Sequence, residues 1–214
     1  MIRQCATAVF VLSLTLSSGA SAQPPGQFSG NPAAELLPGG RQLRLLQPFS
    51  YTDPRGRTWI APSGTVVDGA SIPRAFWTVI GGPLEGSYRN ASIIHDHYCV
   101  TKSKPWQEVH RVFYDGMISA GVGRQLAALM YFAVFKFGPR WETRVTRVPV
   151  RSFSGPPRMV SQETIVDIAP EPYDAAAVET AIARISQGVQ EPEAIEALAG
   201  AGIVPGAVSA DPAP

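Results

Sequence analysis

Tyr88-Arg89-Asn90-Ala91-Ser92-Ile93-Ile94-His95-Asp96-His97-Tyr98-Cys99-Val100-Thr101-Lys102 stands in mid-chain and has the spacing of a helix. Ala91, Ile94, Tyr98 and Cys99 fall on one side of it. Ser103-Lys104-Pro105 breaks the run, and a proline at a first turn starts a new helix. That second helix, about Trp106–Ala120, carries Val109, Phe113, Met117 and Ala120 in one stripe and ends at Gly121 and Gly123. A third, about Arg124–Phe137, stops at Gly138-Pro139. Within it Leu126–Phe135 is apolar on every side, which reads as a buried core helix rather than a membrane-inserting one.

Upstream the pattern changes. Leu43, Leu45 and Phe49 alternate within Arg41–Tyr51, and Asp53-Pro54-Arg55-Gly56 has turn chemistry. Arg57–Ala61 and Thr65–Val67 are short strands about a second turn, Pro62-Ser63-Gly64. The expected fold is therefore α+β: a small antiparallel β meander followed by a three-helix cluster. The globular part runs over residues 41–150. Residues 23–40, rich in Pro, Gly and Ser, form a flexible lead-in. Residues 151–214 are Pro/Ala-rich and acidic, expected to be largely disordered with one weak helix at about Asp174–Ser186.

The chain's start has another character. Arg3 precedes a mainly apolar run, Ala6–Leu16, and Ala20-Ser21-Ala22 is an A-x-A cleavage site. Residues 1–22 are expected to be a signal peptide cleaved after Ala22, giving a periplasmic or secreted product. Cleavage removes Cys5 and leaves Cys99 without an internal disulfide partner. Over the 214 residues, 18 Lys+Arg meet 17 Asp+Glu, but unevenly. Residues 23–158 hold 16 basic against 8 acidic side chains, and residues 159–214 hold 1 against 9. Export and a neutral total argue against a nucleic-acid partner, although Arg144, Arg147, Arg151 and Arg158 are clustered. The basic body suits an anionic membrane surface or an envelope protein, and the acidic tail has the charge to contact that body.

The chain's three histidines, His95, His97 and His110, fall within 16 residues. His97 is about 200° around the helix from His95 and is expected to be solvated. If the first two helices form a hairpin about residue 103, position 95 lies opposite 111, so His110 meets His95 or Asp96. A histidine oriented by a second polar group, beside a carboxylate able to hold a cation, is the minimum for activating water. His95, His110 and Tyr98 are thus the catalytic candidates, and Asp96 with His95 the metal candidates, for calcium or zinc. Asp68, Gly69 and Ser71 form a tight polar loop that could support this site. Ser71 could also be a nucleophile with His95 as base, but no Gly-x-Ser-x-Gly elbow surrounds it. The alternative is a polar network that ties the helices together.

Taken in order, Ala61-Pro62-Ser63-Gly64, Asp68-Gly69-Ala70-Ser71-Ile72-Pro73, Phe76-Trp77, Gly86-x-Tyr88, Ala91, His95-Asp96-x-Tyr98, Arg111-x-Phe113, Met117, Gly121-Val122, Met130-Tyr131 and Gly138 resemble the bacterial and phage-related family called domain of unknown function 1353. The resemblance covers roughly residues 45–140 and implies no established activity. One position departs from it: Val109-His110-Arg111-Val112-Phe113 stands where the family pattern has Ala-Asp-Arg-x-Phe. The His95-Asp96-x-Tyr98 helix after a Gly/Pro-rich loop also looks like the His-Asp helix of phospholipases A2. That likeness implies His95 as base and Asp96 as a calcium ligand, with His110 in the position of an orienting carboxylate. Asp115 lies about 140° around its helix from His110 and would need a different packing to serve.

Two functions follow as expectations. One is an exported, non-catalytic envelope or interaction module whose His-Asp cluster is structural. The other is a metal-assisted hydrolase that cleaves esters in the manner of phospholipase A2.

Overall fold

The computed structural model describes residues 25–69, 86–152 and 155–200. Ser71, the Phe76-Trp77 motif and the leader lie outside the described residues. The architecture is α+β, with small antiparallel sheets first, then helices and a long hairpin. The strands are β1 (Gln27–Phe28), β2 (Ala34–Leu36), β3 (Leu43–Leu45), β4 (Phe49–Thr52), β5 (Thr58–Ala61) and β6 (Val66–Val67). Instead of one meander they make two three-stranded sheets, in the orders β1-β4-β5 and β2-β3-β6. Leu46-Gln47-Pro48 separates β3 from β4, and the proline there can donate no ladder hydrogen bond.

Alternation fixes which face of these strands is inward. Phe49 pairs with Ala61 and Tyr51 with Trp59, and all four side chains are buried. The connecting turn closes on Asp53, whose carbonyl accepts from Gly56 N–H at 2.9 Å, with Gly56 at φ +78°. Asp53 itself is buried. Its carboxylate accepts from the backbone N–H of Arg55 and Arg57, from Arg57 Nε and from Trp59 Nε1.

The helices follow the apolar spacing closely: α1 (Arg89–Thr101), α2 (Trp106–Ser119) and α3 (Arg124–Phe137). α1 stops where Lys102 turns left-handed, φ +51°, and its N–H returns to the Tyr98 carbonyl at 2.8 Å. α1 and α2 pack closely at Gly116, where an added Cβ would lie 3.1 Å from Ala91 Cβ. α3 is buried from Ala127 through Phe135. No described helix is long and apolar enough to cross a membrane.

Beyond α3 the structure differs from the sequence expectation of a largely disordered tail. β7 (Arg140–Ser152) and β8 (Gly155–Ile168) form a long two-stranded hairpin. α4 (Ala175–Ser186) and α5 (Pro192–Leu198) follow, and Val178, Ala181, Ile185 and Ile195 are buried in the same core as α3. The physical reason lies in α3, because a helix apolar on all sides must be covered on all sides. The lead-in likewise supplies β1 and β2.

Candidate functional site

The helix hairpin delivers the pairing that its spacing implied. His95, on α1, and His110, on α2, face each other with Nε2 and Nδ1 2.8 Å apart. His95 is 1% exposed, Asp96 4%, Cys99 8% and His110 0%. The rings are sandwiched by aromatics: Phe113 lies 4.7 Å from His95, and Trp106 lies edge-on to His110 at 5.4 Å, centroid to centroid.

A backbone oxygen sets the tautomers. His110 Nε2 lies 3.1 Å from the Pro139 carbonyl, which can only accept, so this nitrogen carries the proton. His110 Nδ1 is then the acceptor, and His95 Nε2–H donates to it. His95 Nδ1 points to Asp96 Oδ1 at 3.7 Å and to Cys99 Sγ at 3.9 Å. Asp96 is steadied from the loop that the sequence singled out, since Gly69 N–H donates to its Oδ2 at 2.7 Å. Gly69 holds φ +64°, a region where a side chain is strained. Asp68 is exposed beside it.

The two imidazoles titrate in opposite directions. Burial opposes a charge on His95, but the Cys99 sulfur and the Asp96 carboxylate outweigh it, and its pKa rises to about 9. Burial pushes His110 well below the ordinary histidine value, and positive His95 and Arg140 push it the same way. Both directions favour a hydrogen bond that runs from His95 to His110.

The remaining candidates go elsewhere. Tyr98 turns to β5, accepts from Ile60 N–H at 3.1 Å and packs edge-on against Trp59. His97 is half-buried with Nδ1 3.4 Å from Thr65 Oγ1, and burial lowers its pKa. Asp115 faces Arg111 at 3.5 Å, and burial raises its pKa. Cys99 is the member that sequence reasoning treated only as a lone thiol. Its spacing was the available signal, because positions 95 and 99 are one helical turn apart. Its Sγ lies 3.6 Å from His95 Nε2. The ligand atoms of His95, Cys99 and His110 all lie within 4.8 Å of one another.

Fold and site together define a small α+β domain whose two central helices are joined through a buried histidine pair flanked by a carboxylate and a thiol. Residues 43–134 match the model of the family described as protein of unknown function (DUF1353). That span contains His95, Asp96, Cys99 and His110. The chain is similar to the uncharacterized protein y4jT of Sinorhizobium fredii (strain NBRC 101917 / NGR234), 44% identical over 142 residues, covering 64% of this chain and 42% of the relative. It is also similar to the uncharacterized protein y4iH of the same strain, 41% identical over 115 residues, or 53% of this chain and 48% of the relative. The chain thus spans less than half the length of these curated relatives. No solved structure matches it.

Proposed function

We propose that this is an exported, non-catalytic envelope or interaction module in which the His95–Asp96–His110 cluster is a structural polar network. The observation that carries this reading is the 2.8 Å bond between the two buried rings, continued to the Pro139 carbonyl. The ring nitrogen that a general base would offer to water is engaged by another imidazole. The network links α1, α2 and the junction of α3 with β7, so its value lies in fixing three elements.

The β7–β8 hairpin favours an interaction role. Val145, Met159 and Ile165 are exposed on one of its faces, Val150 and Val160 on the other, with Arg144, Arg147, Arg151 and Arg158 exposed among them. Apolar side chains interleaved with arginine suit an anionic surface.

The hydrolase reading draws support from Asp96 beside His95 and from its fixed orientation by Gly69. The test is hydrolysis of phosphatidylglycerol vesicles with and without calcium, together with heat unfolding of the parent, His95→Gln and His110→Ala. The expected result is no calcium-dependent hydrolysis. His110→Ala should melt several degrees lower, since a broken buried hydrogen bond costs about 1–3 kcal/mol. Calcium-dependent hydrolysis that disappears in His95→Gln would overturn the proposal in favour of the hydrolase.

A further inference from the structure

The geometry points to a thiolate–imidazole site for a zinc-class cation formed by His95 Nε2, His110 Nδ1 and Cys99 Sγ. The inference rests on the structural reading of the cluster and deepens it by naming what joins the helices. It differs from the sequence expectation, which put the cation on Asp96 and His95.

Three features carry it. The first is convergence: the three ligand atoms come from two helices and lie within 4.8 Å of one another, all on buried residues. The second is spacing. A tetrahedral ion with ordinary zinc–sulfur and zinc–nitrogen bonds has a sulfur–nitrogen edge of about 3.6 Å and a nitrogen–nitrogen edge of about 3.3 Å. Cys99 Sγ lies 3.6 Å from His95 Nε2, and the two nitrogens are 2.8 Å apart. The two nitrogens therefore need to part by about half an ångström, and Cys99 Sγ, which lies within 4.8 Å of the His110 ligand nitrogen, to close on it by up to about 1.2 Å.

The third feature is the outer shell. A metal-binding histidine donates its other ring N–H to a carboxylate or a backbone carbonyl. His110 has the Pro139 carbonyl at Nε2, and His95 has Asp96 at Nδ1. Both outer nitrogens thus face acceptors, while the two inner ones face each other with Cys99 Sγ beside them. Binding would release the Cys99 thiol proton and the proton held between the rings. The resulting dication and thiolate carry one net positive charge, which the Asp96 carboxylate balances. Sulfur and nitrogen donors select zinc-class ions over calcium.

The experiment is titration of the chelator-treated, reduced chain with cobalt(II) as a spectroscopic probe, then zinc(II). The expected result is a near-ultraviolet thiolate-to-cobalt charge-transfer band that saturates at one equivalent and is displaced by zinc. Zinc should also raise the melting temperature. Cys99→Ser should lose the charge-transfer band, and His97→Gln should keep it. Asp96→Asn should weaken cobalt binding by about 10–100-fold, the usual effect of removing an outer-shell acceptor. Absence of the charge-transfer band in the parent chain would overturn the site, and that result needs no variant to fold. Vesicle hydrolysis reports on the non-catalytic reading separately, so either proposal can fail without the other.

Discussion

Asp53 shows how much one side chain can fix. It is 3% exposed, and its carboxylate gathers two backbone N–H groups, the Arg57 guanidinium and the Trp59 indole. The sequence made the turn legible through Pro54 and Gly56, but it could not show that the aspartate is inward-facing and holds a core tryptophan. Asp53→Ala leaves Trp59 Nε1 and the turn's N–H groups without their acceptor. It should lower stability by about 2–4 kcal/mol, read as a reduced urea midpoint at unchanged m-value. A loss below half a kilocalorie would mean that water replaces the carboxylate. The site divides the same way: His95 and His110 were legible because helix spacing brings side chains together. Gly69 N–H and the Pro139 carbonyl were not, because backbone groups leave no mark in residue identity.

At the scale of elements, the α3–β7 junction is closely constrained. Gly138 closes α3 through its N–H to the Val134 carbonyl at 2.9 Å, and a Cβ there would lie 2.2 Å from that same oxygen. Gly138→Ala must therefore move the chain just before Pro139, the residue whose carbonyl fixes the His110 tautomer. The expected outcome is a loss of more than about 3 kcal/mol together with a changed His110 imidazole resonance by NMR, while Gly123→Ala, in open space, changes neither. After α3 the elements missed from sequence were the β7–β8 hairpin and α5, whereas the helix expected at about Asp174–Ser186 is α4. The Pro and Ala content of this region resembles disorder, and of its two helices only α4, through Val178, Ala181 and Ile185, has an apolar stripe. The missing argument was α3 itself: Leu126–Phe135 has more apolar surface than two helices and two small sheets can cover. A chain ending at Ala169 loses the burial of Val178, Ile185 and Ile195. At about 1.5–3 kcal/mol for each such side chain, the loss is on the order of 5 kcal/mol, comparable to a whole domain's stability. The truncated chain should bind a hydrophobic dye and lack a cooperative melt; a sharp melt near the parent's would show that α4 and α5 are dispensable.

Over the whole molecule, the uneven charge becomes intelligible as contact between the two halves. Glu171 bonds Lys136 and Arg140, Glu193 and Glu196 lie against Arg111, Glu191 against Arg124, and Asp167 against Lys102. The acidic segment that the sequence separated from the basic body is thus laid along it. Several of these pairs are exposed and individually contribute little, so apolar burial by α4 and α5 holds the segment while charge sets its register. The pH response follows from the carboxylates. Burial would raise Asp53, but its hydrogen bonds and Arg57 outweigh that and lower it. Burial likewise opposes the lowering of Glu171 by Lys136 and Arg140, whereas the hydrogen bond from Arg111 leads the lowering of Glu193. Folded values below unfolded ones mean stability that is fully present above the ordinary carboxylate range and lost as pH falls through the folded values. Asp115, raised chiefly by its burial, runs the other way and recovers a part of the loss. The melting temperature should therefore fall steadily below about pH 4.5, when the unfolded chain begins to take up protons that the native pairs resist. Glu171→Gln should be less stable than the parent at neutral pH, with the difference shrinking in acid as the parent's carboxylate is protonated. A gap between the two that persists unchanged to low pH would show that Glu171 acts through packing rather than through its charge.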